Sequence, residues 1–295
     1  MASYTNFDIA QFADTALEAF VSTLAPLNAF STDASPNPAS GGSSVLVPLI
    51  GSLTATTFSG YCVCGSTASV ITVTLNKRRI VVTGQDDLTR IQNSYGNLLP
   101  RFARQQGAEL AREVIATIWG ALTPGAFGTA ATTTSTGIAV ADLLTGKKLL
   151  DAAKVPFIDR SYVLDTVPYN ALLGTTQFIQ AQIAGDPSAF RRGSMGQVFG
   201  ADTYMTNALP GTNSVMGFIA HPSAIAVAMR YLGPGDAGRQ YYIDARPVTD
   251  PATGATFGLR HLYDPCSGTE FIDLECLFGF SVGISNAARL YVRSD

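Results

Sequence analysis

Phe7, Ile9, Phe12, Ala16, Leu17, Phe20, Val21 and Leu24 recur at spacings that bring them close to one helical face. This predicts an amphipathic helix over residues 7–25, with Asn6 or Asp8 as its cap and Pro26 as its end. The stretch that follows, "NAFSTDASPNPASGGSS", has no period and is rich in Pro, Ser, Gly and Asn, the pattern of a linker or an extended arm. Such an arm stays ordered only if something holds it, and a neighbouring subunit is the expected support. Two runs rich in Val, Ile and Thr come next, "SVLVPLIGSLTATTF" and "ASVITVTLNKRRIVVTG", joined by the turn-like "SGYCVCGST". They read as one long hairpin over Ser44 to Thr83, ended by Gly84, and a two-stranded hairpin must pack on something.

"QDDLTRI" predicts a short helix, and Asn97 to Leu122 a long one of about seven turns. Leu110, Val114, Ile118 and Leu122 line its face, Asn97 caps it, Pro100 sits in its first turn and Pro124 stops it. "GAFGTAATTTSTG" reads as a loop, and Gly137 to Val155 as a helical segment interrupted near Gly146. "SYVLD" reads as a buried strand, followed by a helix in "TVPYNALLG" with Thr166 as cap and Pro168 in its first turn. "GQVFGADTYMTNALP" reads as a strand ending in a turn. "VMGFIAHPSAIAVAMRYLG" reads as a strand followed by a helix starting at Pro222. This repeat predicts an α/β subdomain with helices flanking a sheet. The tail, with turns at "DPATG" and "DPCSG", reads as an antiparallel meander.

Composition changes this picture. Charged residues are 14% of the 295-residue chain, against roughly 25% in an average soluble domain. Mean hydropathy is +0.20. Such a chain either lies in a membrane or buries much of its surface against other chains. No charge occurs between Asp33 and Lys77 or between Glu113 and Asp142, yet both stretches are broken by Gly, Pro, Ser and Thr and do not suit a membrane span. "MASYTNFDIAQF" has no basic region followed by an apolar core, so no secretory signal is read there. A cytoplasmic product with large protein–protein interfaces is the reading that remains. A net charge of −3 excludes the usual basic nucleic-acid binder.

The candidate chemistry is sparse. "GFSVG", Gly279 to Gly283, matches a nucleophile elbow around Ser281, but that motif needs a strand, a sharp turn, a helix and a later histidine. No histidine follows His261, and the flanking valine and isoleucine give the rhythm of a strand. His221 and His261 lack catalytic partners in sequence, and Cys62 and Cys64 do not have the spacing of a zinc knuckle. No cofactor or metal site is read from the chain. Asp159, Arg160 and Asp165 lie within "VPFIDRSYVLDTVPYNALL", before and after a strand, where charges fix turns and cap helices. Lys77, Arg78 and Arg79 form the densest basic run, a solvated strand end or a salt-bridge contact between subunits.

The order of these parts resembles the tailed-bacteriophage major capsid proteins of the Hong Kong 97-like fold, over essentially the whole chain. "VPFIDRSYVLDTVPYNALL" looks like the family's "P…R..VL.P..Y..LL" segment, with Tyr169, Leu172 and Leu173 matching and Asp165–Thr166 standing where Ser–Pro is common. "GQVFGADTYMTNALP" looks like its "G.v.G..v..s..lP" strand. The resemblance implies an α+β fold with an N-terminal helix and arm (1–43) and an extended loop (44–83). A spine helix in a peripheral domain (84–137), an axial domain (138–257) and returning peripheral strands (258–295) complete it. It implies no enzyme. The chain would assemble as hexamers and pentamers into an icosahedral shell around double-stranded DNA, touching that DNA non-specifically, in a virion put together in the host cytoplasm. Partners would be a portal, a decoration protein in some cases and, since the first helix begins almost at Met1, a separate scaffolding protein. With no lysine in the loop before Lys77, no lysine–asparagine crosslink is expected there. Candidate contacts between subunits are Phe7, Phe12 and Phe20 on the first helix, and Tyr61, Cys62 and Cys64 at the loop tip. Lys77, Arg78 and Arg79 at the loop's foot, and Arg101 and Arg104 on the spine helix, complete the set. An encapsulin-like compartment shares the architecture, and a serine hydrolase using Ser281 is the reading from a different class.

Overall fold

A computed structural model describes residues 6–28, 31–33, 44–49, 69–92, 99–133, 137–176, 195–209, 214–233 and 241–294. The long periodic segments are helices. α1 spans Asn6–Asn28 and α3 spans Leu99–Trp119, with the short α2 (Asp87–Gln92) ahead of α3. Ile9, Phe12, Ala16, Phe20, Leu24 and Leu27 of α1 are buried, as are Leu110, Val114, Ile118 and Trp119 of α3. Pro26 does not end α1 but sits inside its last turn. It removes one backbone donor there, while Leu24 and Leu27 on either side stay packed in the core. Leu122 lies beyond the end of α3. Pro124 opens a separate short helix, α4 (Pro124–Phe127), and the predicted loop continues into a strand, β5 (Thr129–Thr133).

Two six-stranded sheets organise the rest. The first is built around β13 (Thr269–Val282), the longest strand. β12 (Thr256–Asp264) pairs with its first half, and β10 (Ile225–Arg230) with its second. β4 (Lys77–Asp86) pairs along residues 269–278. Since a strand has two edges, β10 and β12 must follow one another along one edge and β4 takes the other. β1 (Ser31–Asp33) pairs with β10 and β11 (Tyr242–Thr249) with β12. The Asp250 and Asp264 turns close the meander as expected: Asp250 accepts from the Thr253 amide at 3.0 Å and Asp264 from the Cys266 amide at 2.9 Å.

The second sheet has the order β5, β14 (Ala288–Arg293), β9 (Val215–Ala220), β6 (Ser161–Asp165), β8 (Ala201–Thr206) and β7 (Gln197–Val198). The helices α5 (Val140–Ala152) and α6 (Thr166–Leu173) pack on one face, burying Leu143, Leu150, Tyr169 and Leu172 against Tyr162, Leu164, Ile219 and Tyr291. The opposite face joins the main core with α1, α3 and the first sheet, where Phe20 meets Phe257 at 5.1 Å and Trp119 meets Phe218 at 6.1 Å, both edge to face. Covered on both sides, β9 is buried at every position. Residues 138–257 therefore divide between the two sheets, and the C-terminal β14 returns to the second.

Three further expectations are corrected. "AIAVAMR" is not a helix but β10, joined to β9 by a single 3-10 turn at Pro222–Ala224. A short apolar run buried on all sides carries no period, and pairing with β13 decides its state. α5 runs unbroken through Gly146, where a Cβ would lie 2.1 Å from the Tyr291 hydroxyl, so this glycine marks a close approach rather than a break. The predicted hairpin is divided. β2 (Ser44–Leu49) pairs with β3 (Ser69–Thr74), but after Leu75–Asn76 the chain leaves as β4 for the first sheet and continues through Gly84 to Asp86. Val45, Val47, Leu49 and Val73 seat the base of the β2–β3 ribbon on Ala226 and Ala228 of β10. Residues 50–68, including Tyr61, Cys62 and Cys64, lie outside the described residues, as do 34–43 of the arm and Asn97.

Candidate functional site

The charges of "VPFIDRSYVLDTVPYNALL" are structural. Arg160 is buried, donating to the Pro156 carbonyl at 2.7 Å and the Val155 carbonyl at 2.6 Å and pairing with Asp151. The Arg160 guanidinium holds the Asp151 carboxyl below the usual carboxylate range. Asp165, not Thr166, caps α6: its side chain accepts from the Thr166 amide at 2.8 Å. Asp159 is exposed and left-handed at φ 61°. Tyr169 is buried, with its hydroxyl accepting from the Met195 amide at 3.0 Å.

Ser281 lies within β13, paired with Ala226, with no turn at the serine. The glycines around it have a packing reason. A Cβ on Gly279 would sit 2.1 Å from the Thr74 carbonyl oxygen, and one on Gly283 2.3 Å from that of Ser223. The G-x-S-x-G spacing thus records two close backbone approaches, one within β13 and one just past its end, not a nucleophile elbow. His221 caps the 3-10 turn by accepting from the Ser223 amide at 3.2 Å, and burial pushes its pKa down. His261 is buried against Glu270 at 2.7 Å. Among the described residues no cluster of His, Cys, Asp and Glu is placed to hold a metal, and no helix is long and apolar enough to cross a membrane.

The basic run meets acids of its own chain. Arg78 pairs with Glu275, which is buried and also takes Arg260 at 2.7 Å. Arg260 further donates to the Leu232 carbonyl at 2.7 Å and lies 5.6 Å over the Tyr242 ring. Arg79 reaches Glu113 at 3.5 Å and the Thr117 hydroxyl at 3.2 Å, tying the foot of the ribbon to α3. Lys77 is exposed.

Asp273 lies on the same sheet face as Glu275. Burial pushes its carboxyl up to about 6, with Glu275 adding to the shift and Arg260 opposing it. This value lies above the ordinary carboxylate range, so the folded chain binds the proton more tightly than the unfolded chain. The group therefore opposes folding above about pH 6, and that penalty fades as pH falls toward 4. Asp273→Asn is expected to raise stability at pH 7.5 by about 1–2 kcal/mol and to flatten the profile between pH 4 and 7. Urea unfolding of unassembled chains at both ends of that range checks it; equal destabilisation at both would show that the carboxylate is needed.

The remaining candidates separate. Phe12 and Phe20 are committed to the chain's own core, so they are not free to meet a neighbour; the side chain of Phe7 lies outside the described residues. Arg101 and Arg104 are exposed on α3, with Glu18 at 4.0 Å from Arg104. The reading from sequence passed over several uncovered apolar residues: Leu46 and Val70 on the outer face of the ribbon, and Phe157, Ile158, Val167, Phe199 and Met205 around the second sheet. The adjacent Phe157–Ile158 pair, which belongs to no periodic element, was the available signal.

Residues 70–265 match the model of a family described as phage capsid protein. No curated protein sequence matches the chain. Among solved structures, one from Mycobacterium phage Che8 is similar over 85% of this chain and 85% of that one, at 17% identity and TM-score 0.57. The capsid structure of the cyanophage P-SCSP1u is similar over 90% and 86%, at 15% identity and TM-score 0.60. A virus-like particle from Pyrococcus furiosus is similar over 96% and 98%, at 11% identity and TM-score 0.58. At these identities the likeness is one of fold.

Proposed function

Because the chain belongs to the phage capsid protein family, it is a structural component of a virus shell, and we propose the finer reading that many copies close an icosahedral shell around the double-stranded DNA of a tailed phage. The fold is the Hong Kong 97-like one. The observation that carries the finer reading is the β2–β3 ribbon. Its inner face is packed on β10, while Leu46 and Val70 on its outer face are uncovered. An apolar ribbon surface of this kind needs a neighbour, and in a shell that neighbour is another copy.

In this reading the β2–β3 ribbon, residues 44–74, is the loop that lies over an adjacent subunit, and the first sheet with α3 forms the peripheral region. The second sheet, with α5 and α6, forms the axial region around which hexamers and pentamers close. Assembly in the host cytoplasm would involve a separate scaffolding protein, a portal and, in some shells, a decoration protein. The packaged DNA would be touched only non-specifically, as the weak net negative charge suits.

Sedimentation and negative-stain electron microscopy of the purified chain test the proposal. Hollow particles or capsomer-sized rings are expected, formed equally well by Ser281→Ala. Packaged DNA rather than a bound cargo peptide separates a virus from a compartment. A chain that stays monomeric even with a scaffolding partner overturns the shell reading.

A further inference from the structure

One end of the second sheet combines backbone strain with uncovered apolar side chains. Ser161 is in register with Asp202 on β8 and with Ala220 on β9, so the 155–160 loop and the Phe199–Gly200 turn lie at the same end. Phe157 is 69% exposed, Ile158 75% and Phe199 40%. Four non-glycine residues among those described have left-handed backbones, and three of them, Lys154, Asp159 and Phe199, are at this end. The two-residue β7–β8 turn has positive φ at both Phe199 and Gly200, a geometry that Asn or Asp fits at the first position and a bulky aromatic does not. Strain held in place while a large apolar side chain stays in water points to a contact made elsewhere.

The loop cannot turn its apolar residues inward. Arg160 lies buried beneath it, bonded to the carbonyls of Val155 and Pro156 and paired with Asp151, and its guanidinium sits 4.9 Å from the Phe157 ring. Phe157 and Ile158 are thereby presented on a fixed base, with little left to order on binding. At the other end of the same strands, Leu164 is in register with Met205 and Asp165 leads into α6. Val167 is 56% exposed there and Met205 51%.

We propose that the Phe157–Ile158–Phe199 end of one copy docks on the Val167–Met205 end of the next, head to tail. The inference rests on the capsid reading, which makes copies of this chain its neighbours. Two different uncovered ends on one sheet suit a heterologous contact, since a two-fold contact pairs a surface with itself. Repeated around an axis, a heterologous contact closes a ring.

Two variants blocked at opposite ends test it: Phe157→Asp with Ile158→Asp, and Val167→Asp with Met205→Asp. All four residues are exposed, so each variant is expected to melt as the wild type does. Each alone is expected to self-associate at least ~10-fold more weakly than the wild type. An equimolar mixture, which restores one intact pair of ends, is expected to recover association, giving 1:1 dimers in sedimentation that neither variant forms alone. If either variant melts early, serine at the same positions replaces aspartate, with the same outcomes expected. A wild type that assembles together with variants that assemble equally well overturns the contact alone. So do blocked variants whose mixture stays monomeric. A wild type that never assembles overturns the capsid reading and this contact with it.

Discussion

Glu275→Ala is expected to lower the stability of the chain by about 3–5 kcal/mol, the cost of leaving a buried charge without its partner. Glu275 is buried in the middle of β13 and takes both Arg78 and Arg260. Without it, Arg260 keeps the Leu232 carbonyl and the Tyr242 ring, neither of which carries a negative charge. Asp273 is the acid available to respond. Its carboxyl, now held up by burial and by Glu275, should titrate at lower pH in the variant as Arg260 turns toward it. Glu275→Gln keeps the shape and one acceptor and should lose less. The exposed Arg112–Glu109 pair, three residues apart on α3, is the control: Glu109→Ala should change stability by about 0.5 kcal/mol or less. Urea unfolding of the two alanine variants makes the comparison, and equal losses would show that the buried network carries no special weight.

How much of this was legible in the sequence depends on how far apart the partners lie. α1 and α3 were readable because one buried face against solvent leaves a helical period, and the Asp250 and Asp264 turns because their geometry is local. β10 was misread because it is covered all round, which erases the period. β3 and β4 were read as one strand because Val, Ile and Thr run across both. What divides them is β4's partner, some 190 residues later in β13. The same limit applies to the candidate contacts. Arg78 stood out as part of a basic run, but nothing local to it announces Glu275 or Arg260. Phe12 and Phe20 suggest contacts only as apolar residues on one helical face, a property shared by core and interface. The resemblance to capsid proteins fared better, because its residues build the unit itself: Arg160 clamps a loop, Tyr169 holds the Met195 amide and Leu172 fills the core.

Gly107→Val should be the most damaging change in the helical layer, with a loss of about 3 kcal/mol or more. In a solvated helix, replacing Gly by Ala stabilises by about 1 kcal/mol. Gly107 reverses that sign, because a Cβ there would lie 2.2 Å from the Ala16 carbonyl oxygen of α1 and 3.1 Å from its Cα. The obstacle is backbone, which no side-chain rotation can clear, so α1 must move away from α3. Ala103 and Ala111, one turn to either side of Gly107, are buried too, giving α3 a row of small residues on which α1 lies. Separating the helices would also loosen Phe20 from Phe257 and so disturb the first sheet. Even Gly107→Ala should destabilise, whereas Gly125→Ala in α4, where a Cβ meets nothing within 4 Å, should be close to neutral. Thermal melting of the three variants tests the order. If Gly107→Ala melts at or above the wild-type temperature, α1 is not held against α3 at this crossing, and the long helix is free to dock on the subunit by another path.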